Sequence, residues 1–95
     1  MITEQIKKNL LEKLSATHVQ VVDESQAHVG HMGVQMGGGH FHVTIVSDQF
    51  SEKNTLARQR LVYSVLQEEM KQAVHALRME TYTPEEWRRQ KSEGR

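Results

Sequence analysis

The spacing of apolar residues switches back and forth between the helical and the extended period, and that switching leaves few folds open to this chain. Ile2, Ile6, Leu10 and Leu14 recur every four residues, with Glu4, Lys7, Lys8, Glu12 and Lys13 on other faces. The pattern predicts an amphipathic helix over residues 3–14, with Ser15-Ala16-Thr17 as its exit. Residues 18–23 are rich in β-branched side chains (Val19, Val21, Val22) and predict a short strand. Residues 40–47 alternate well: Phe41, Val43 and Ile45 share one face, and His40, His42 and Thr44 the other. A second strand follows, antiparallel to the first.

From residue 55 to 70 the helical period returns through Leu56, Val62, Val65, Leu66 and Met70, with Asn54 or Thr55 as N-cap. Residues 74–80 alternate again. Strict alternation puts His75, Leu77 and Met79 on the inner face, and Val74, Ala76, Arg78 and Glu80 on the outer one. Strand, helix and strand make a crossover unit, so the second and third strands are expected to be parallel if adjacent. Thr83-Pro84-Glu85-Glu86-Trp87 supplies an N-cap, a proline suited to the first helical position and a capping-box glutamate. A last helix anchored by Trp87 is expected there. The order is α-β-β-α-β-α: a two-layer α/β sandwich on a three-stranded sheet, one domain over residues 1–88 with a charged tail over 89–95.

Between the first two strands lies a glycine-rich connection, residues 25–39, longer than most hairpin loops and ending in Gly37-Gly38-Gly39. Residues 26–39 are expected to be mobile, with His28 and His31 free of tight side-chain hydrogen bonds. The chain has no cysteine, which removes disulfide scaffolds, thiolate metal sites and thiol catalysis. Twelve Lys and Arg balance twelve Asp and Glu, so it is neither a polybasic nor an acidic tail. No apolar run is long enough to span a membrane, and Met1-Ile2-Thr3-Glu4 does not open a signal or transit peptide. A cytoplasmic protein is expected.

Five of the six histidines fall between His18 and His42. His28-Val29-Gly30-His31 puts two imidazoles three residues apart, and a flexible loop can bring both onto one metal ion with a third from His75 or His40. The plain alternative is solvated loop histidines. His75, expected to be half-buried, reads either as a core histidine bonded to backbone or as a ligand within reach of the loop. No nucleophile–base constellation is visible, and Asp23-Glu24 would point to opposite faces of a strand, so no enzyme is expected. Gly30-His31-Met32-Gly33 spells the G-x-x-G of KH domains, but there that loop joins two helices, whereas here it lies between strands. Lys53, Arg58 and Arg60, and Arg88, Arg89 and Lys91, form small basic clusters that read as nucleic-acid contacts or as ordinary solvated faces.

Taken together, Val21-Val22-Asp23-Glu24-Ser25, a loop histidine, His40-Phe41, Val46-Ser47-Asp48-Gln49-Phe50, Arg60-Leu61-Val62-Tyr63, Glu68-Glu69-Met70, Val74-His75-Ala76-Leu77 and Thr81-Tyr82-Thr83-Pro84-Glu85-Glu86-Trp87 resemble the BolA family. The likeness covers roughly residues 1–88 in order and spacing. It implies a fold related to class II KH domains without their G-x-x-G nucleic-acid loop. It also implies two roles. Family members partner monothiol glutaredoxins and share a [2Fe–2S] cluster with the glutaredoxin's cysteine and a bound glutathione. Bacterial members are also described as stress-responsive transcription regulators that bind promoter DNA.

Carried over residue by residue, the resemblance makes His75 one cluster ligand and His28 the loop ligand, with His31 its competitor. It implies a cluster only in the complex with glutaredoxin and glutathione, and none in the isolated protein, which is expected to be a monomer or weak homodimer. The DNA contacts would be Lys53, Arg58 and Arg60. The chain departs from the family twice. Arg58-Gln59-Arg60 stands where Arg-His-Arg is usual, which puts in doubt any DNA role of that histidine. Phe50-Ser51-Glu52 stands where glycine usually follows the phenylalanine by two residues.

Overall fold

The computed structural model describes residues 2–24, 39–72 and 74–93, with the side chains of residues 75, 92 and 93 outside that description. The mobility expected over residues 26–39 therefore falls almost wholly outside it, as do His28 and His31. The elements are α1 (Ile2–Lys13), β1 (His18–Asp23), β2 (Gly39–Val46), a 3₁₀ turn (Asp48–Phe50), α2 (Thr55–Val65), α3 (Gln67–Gln72), β3 (Val74–Tyr82) and α4 (Pro84–Glu93). Among the described residues no helix is long and apolar enough to cross a membrane.

The sheet order is β1-β2-β3, with β1 antiparallel and β3 parallel to β2. Alternation in β2 sends Phe41, Val43 and Ile45 to one face, where they are fully buried with Ile6, Leu10, Leu14, Val62 and Leu66. These are the apolar stripes of α1 and α2, so both helices lie on that face. Burying each large side chain contributes roughly 1.5–3 kcal/mol, which makes this layer the main source of cohesion.

Local chemistry sets the joints. Helix α1 ends in a six-to-one bond from the Ala16 amide to the Leu11 carbonyl at 3.2 Å, with Ser15 at φ 50 where glycine is usual. The buried Ser47 Oγ donates to the Leu14 carbonyl at 2.6 Å and accepts from the Gln49 amide at 3.1 Å, so one hydroxyl joins α1 to the 3₁₀ turn. Asn54 caps α2 by accepting from the Ala57 amide. At α4 the expected capping box is reciprocal: Thr83 Oγ1 accepts from the Glu86 amide at 3.1 Å, and Glu86 Oε1 accepts from the Thr83 amide at 2.9 Å. This helix runs on to Glu93, through most of the segment expected to be tail.

Three features differ from the periodic reading. The single helix expected over residues 55–70 breaks at Leu66, whose φ −103 and ψ 23 are not helical. Beyond the break Glu69 is buried, and its Oε2 accepts from Gln5 Nε2 at 2.8 Å and Asn9 Nδ2 at 2.6 Å. A carboxylate thus holds α3 to α1. Second, Val74 is buried in the core, where Leu77 and Met79 also pack, rather than lying on the outer face with Arg78 and Glu80. The reason is a register shift: Gly39 pairs with Val74, but His40 pairs with Ala76. The extra residue in β3 is His75, and a bulge breaks the period of two.

The third is Arg58. Its Nε donates to the Lys53 carbonyl at 2.9 Å and its Nη1 to the Thr81 carbonyl at 3.1 Å. Nη1 and Nη2 also form a two-pronged bridge to the Glu86 carboxylate at 2.9 and 3.1 Å. Its side chain is only 13% exposed. The guanidinium expected in a nucleic-acid face instead staples α2 to the start of α4.

Two predictions follow from these joints. The Arg58 guanidinium, then the Thr83 amide, hold Glu86 down to a pKa of about 2 from 4.5. Because the folded value is the lower one, the stabilisation is complete above pH 4.5 and is lost as pH falls toward 2. Glu86 is 39% exposed, so solvent screens the pair. Glu86→Gln is expected to cost about 1–2 kcal/mol at neutral pH and to flatten the stability slope across that acid window, read by urea unfolding at several pH values. Glu52 sits at φ 63, the left-handed region. Glu52→Gly is expected to raise stability by roughly 1 kcal/mol, measured by the shift in urea midpoint at constant m.

Candidate functional site

At one end of the sheet three chain segments converge. Strand β1 ends at Asp23, and the Glu24 amide donates to the His40 carbonyl at 2.7 Å, which closes the β1–β2 ladder. Strand β2 opens at Gly39 beside Val74, and the bulge places the His75 backbone between the Gly39–Val74 and His40–Ala76 pairs. One end of the segment that carries His28 and His31 is therefore fixed beside His75, at Gly39, and the other, at Glu24, one strand further across the sheet. A bulge re-aims the backbone and leaves one residue outside the ladder, and such irregularities concentrate at working ends of sheets. Sequence alternation alone could not find it, because a bulge is a property of two paired strands.

Among the described residues no group of three or more His, Cys, Asp and Glu could hold a metal ion. His40, a third imidazole weighed from the sequence, pairs with Ala76 next to the bulge. The chemistry of the donor set is one-sided. Imidazoles are plentiful and cysteine is absent from these 95 residues, so they can offer such a site nitrogen ligands but no thiolate.

The sheet face away from α1 and α2 carries a polar ladder. His42 Nε2 lies 2.9 Å from Glu80 Oε2, and the Tyr82 hydroxyl donates to Glu80 Oε1 at 2.7 Å. The Tyr82 hydrogen bond, aided by the charge and hydrogen bond of His42, outweighs burial and holds Glu80 below the ordinary carboxylate range. Burial, then the Glu80 carboxylate, push the Tyr82 hydroxyl up, so it stays a donor at neutral pH. Arg78 reaches Glu24 at 3.2 Å, a mostly solvated pair of little energetic weight that ties β3 to the end of β1. At the far end Trp87 stacks on His18 with centroids 5.1 Å apart and meets Tyr82 at 5.3 Å. His18 and Tyr82 flank Val46 in the register, which accounts for the burial of Val46 on this face.

Of the basic residues singled out from the sequence, Lys53, Arg60, Arg88, Arg89 and Lys91 are exposed. Arg58 is withdrawn into the staple described above.

A family model described as "BolA-like protein" matches residues 10–86. The chain is 41% identical over 87 residues to the DNA-binding transcriptional regulator BolA of Escherichia coli (strain K12), covering 92% of this chain and 80% of the relative. In three dimensions it is similar to the BolA domain of SufE1 from Arabidopsis thaliana, with a TM-score of 0.77, 38% identity and coverage of 88% and 93% of the two chains. It is also similar to the solution structure of BolA1 from Mus musculus, with a TM-score of 0.79, 33% identity and coverage of 95% and 71%. Relatives of this kind are named for regulation rather than for an enzymatic reaction. The mixed three-stranded sheet, the helices laid on it and a match that spans most of its length agree: this chain belongs to the BolA family.

Proposed function

We propose that this chain acts as an iron–sulfur partner of a monothiol glutaredoxin and donates imidazole nitrogens to a shared [2Fe–2S] cluster. His75 is the ligand on the sheet, and His28 or His31 is the ligand from the connecting segment. One observation carries the reading. The segment holding His28 and His31 rejoins the sheet at Gly39, next to the bulge at His75, and leaves it at Glu24, which is bonded to His40 one strand away. The absence of cysteine supports a shared site over a private one, since the partner and its glutathione would supply the thiolates. When bound, such a cluster supplies one-electron chemistry, with a potential raised by imidazole ligation of one iron. This chain's part is to hold neutral imidazoles, which makes assembly weaken as pH falls through the histidine range.

The test is spectroscopic. Reconstitution of this protein with a monothiol glutaredoxin, glutathione, iron and sulfide is expected to give visible absorption and dichroism distinct from the glutaredoxin homodimer. His75→Ala is expected to return the spectrum to the homodimer form. Loss of the distinct signal in His28→Ala but not His31→Ala, or the reverse, identifies the second ligand. An unchanged spectrum for His75→Ala sinks the assignment.

The name of the Escherichia coli relative favours a second reading, a regulator that binds duplex DNA. With Arg58 engaged in the fold, this surface has Lys53 and Arg60 to offer phosphates. Two such contacts predict a slope of log K against log salt of about −1.8, and weak binding near physiological salt. A much steeper slope in an anisotropy titration would mean that DNA is held elsewhere on the molecule.

A further inference from the structure

Helix α2 buries Val62 in the core yet leaves a stripe of its opposite side uncovered. Leu56 is 54% exposed and Tyr63 40%, and Arg60 lies exposed between them. Positions i, i+4 and i+7 fall on one line of a helix, so the three side chains form a single strip about 10 Å long. Among the described residues only Val22 is another large hydrophobic side chain exposed to this degree, and it stands on the sheet. Charge on the strip has one sign. The sequence of α2, TLARQRLVYSV, contains no acidic residue, and Lys53 adds a second exposed cation just before it. Among the described residues no carboxylate pairs with Arg60 or Lys53, in contrast to Arg58.

We infer that Leu56, Arg60 and Tyr63 form a docking strip for an acidic amphipathic helix of a partner protein, one that presents a carboxylate between apolar side chains. Arg60 would take the carboxylate in its two-pronged geometry while Leu56 and Tyr63 pack on either side. Arginine and tyrosine, with tryptophan, are enriched among the residues that anchor interfaces, and an amphipathic helix laid along such a strip is a common mode of recognition. Nucleic acid fits the same strip less well. Two free cations neutralise few phosphates, and Leu56, 54% exposed, offers a phosphate nothing. The strip is also separate from the proposed cluster site. Arg58, in the same stretch of α2, grips Thr81, and Thr81 stands six positions from His75 on β3, about 20 Å of extended strand.

The experiment uses the full chain labelled with ¹⁵N and titrated with a synthetic amphipathic helical peptide of leucine and glutamate. A second peptide with lysine for each glutamate serves as its counterpart, and a short DNA duplex as a third probe. The acidic peptide is expected to shift amides across residues 53–67 and to bind at least tenfold more tightly than the lysine peptide. Arg60→Glu is expected to invert that preference, and Leu56→Ser to weaken the acidic peptide about tenfold without altering the melting curve, since both side chains are exposed. Equal binding of the two peptides, shifts centred elsewhere, or tighter binding of the duplex at the same residues would each overturn the inference. So would shifts at these residues that follow protein concentration alone, because they would mean a second copy of the chain occupies the strip.

Discussion

Strand β2 is bonded on both sides and covered on its core face, and every other element is placed by what it does for that strand. Phe41, Val43 and Ile45 admit no water, so two helices must lie over them. The ladders to β1 and β3 satisfy its backbone on either side, as a buried strand requires. The opposite orientations of the two neighbours then dictate the connections. The antiparallel partner is reached by the segment holding His28 and His31, and the parallel one only by the crossover through α2 and α3. The candidate site lies where those connections meet the sheet, so its position is a by-product of keeping β2 dry.

Much of this was legible in the residues because it rests on local chemistry. Alternation from His40 to Ser47 is a property of one strand, and it placed Phe41, Val43 and Ile45 correctly. The capping box at Thr83 and Glu86 is a property of one helical turn, and both of its hydrogen bonds are present. The features that escaped depend on partners distant in sequence. Val74 joins the core because β3 is bulged against β2, and no count along β3 alone reveals that. Glu69 looks like a solvent-facing helix residue until α1 brings Gln5 and Asn9 to it. Arg58 and Arg60 look alike in the sequence, yet only Arg58 meets Glu86 and Thr81, so one arginine stabilises the fold while its neighbour stays exposed.

The candidate site shows the same division. Family resemblance named His75, and the sheet register shows its backbone to be the extra residue of a bulge. Position 52 shows the converse. A departure from the family, Glu52 for glycine, lies at a positive φ, so the usual glycine has a conformational reason. Resemblance supplies residue identities, and geometry supplies the reasons for them.

Trp87 is the chain's single tryptophan, and it lies outside the main core. It rests on His18 of one edge strand and Tyr82 of the other, so its ring spans the sheet across the central strand. The natural emission of this protein is therefore an optical gauge of one event, the closing of α4 over the three aligned strand ends. A refolding trace followed by indole fluorescence would time that closure, while backbone dichroism would follow the helices over the core. Any lag between the two signals would separate the sealing of the sheet end from the collapse of the layer beneath it.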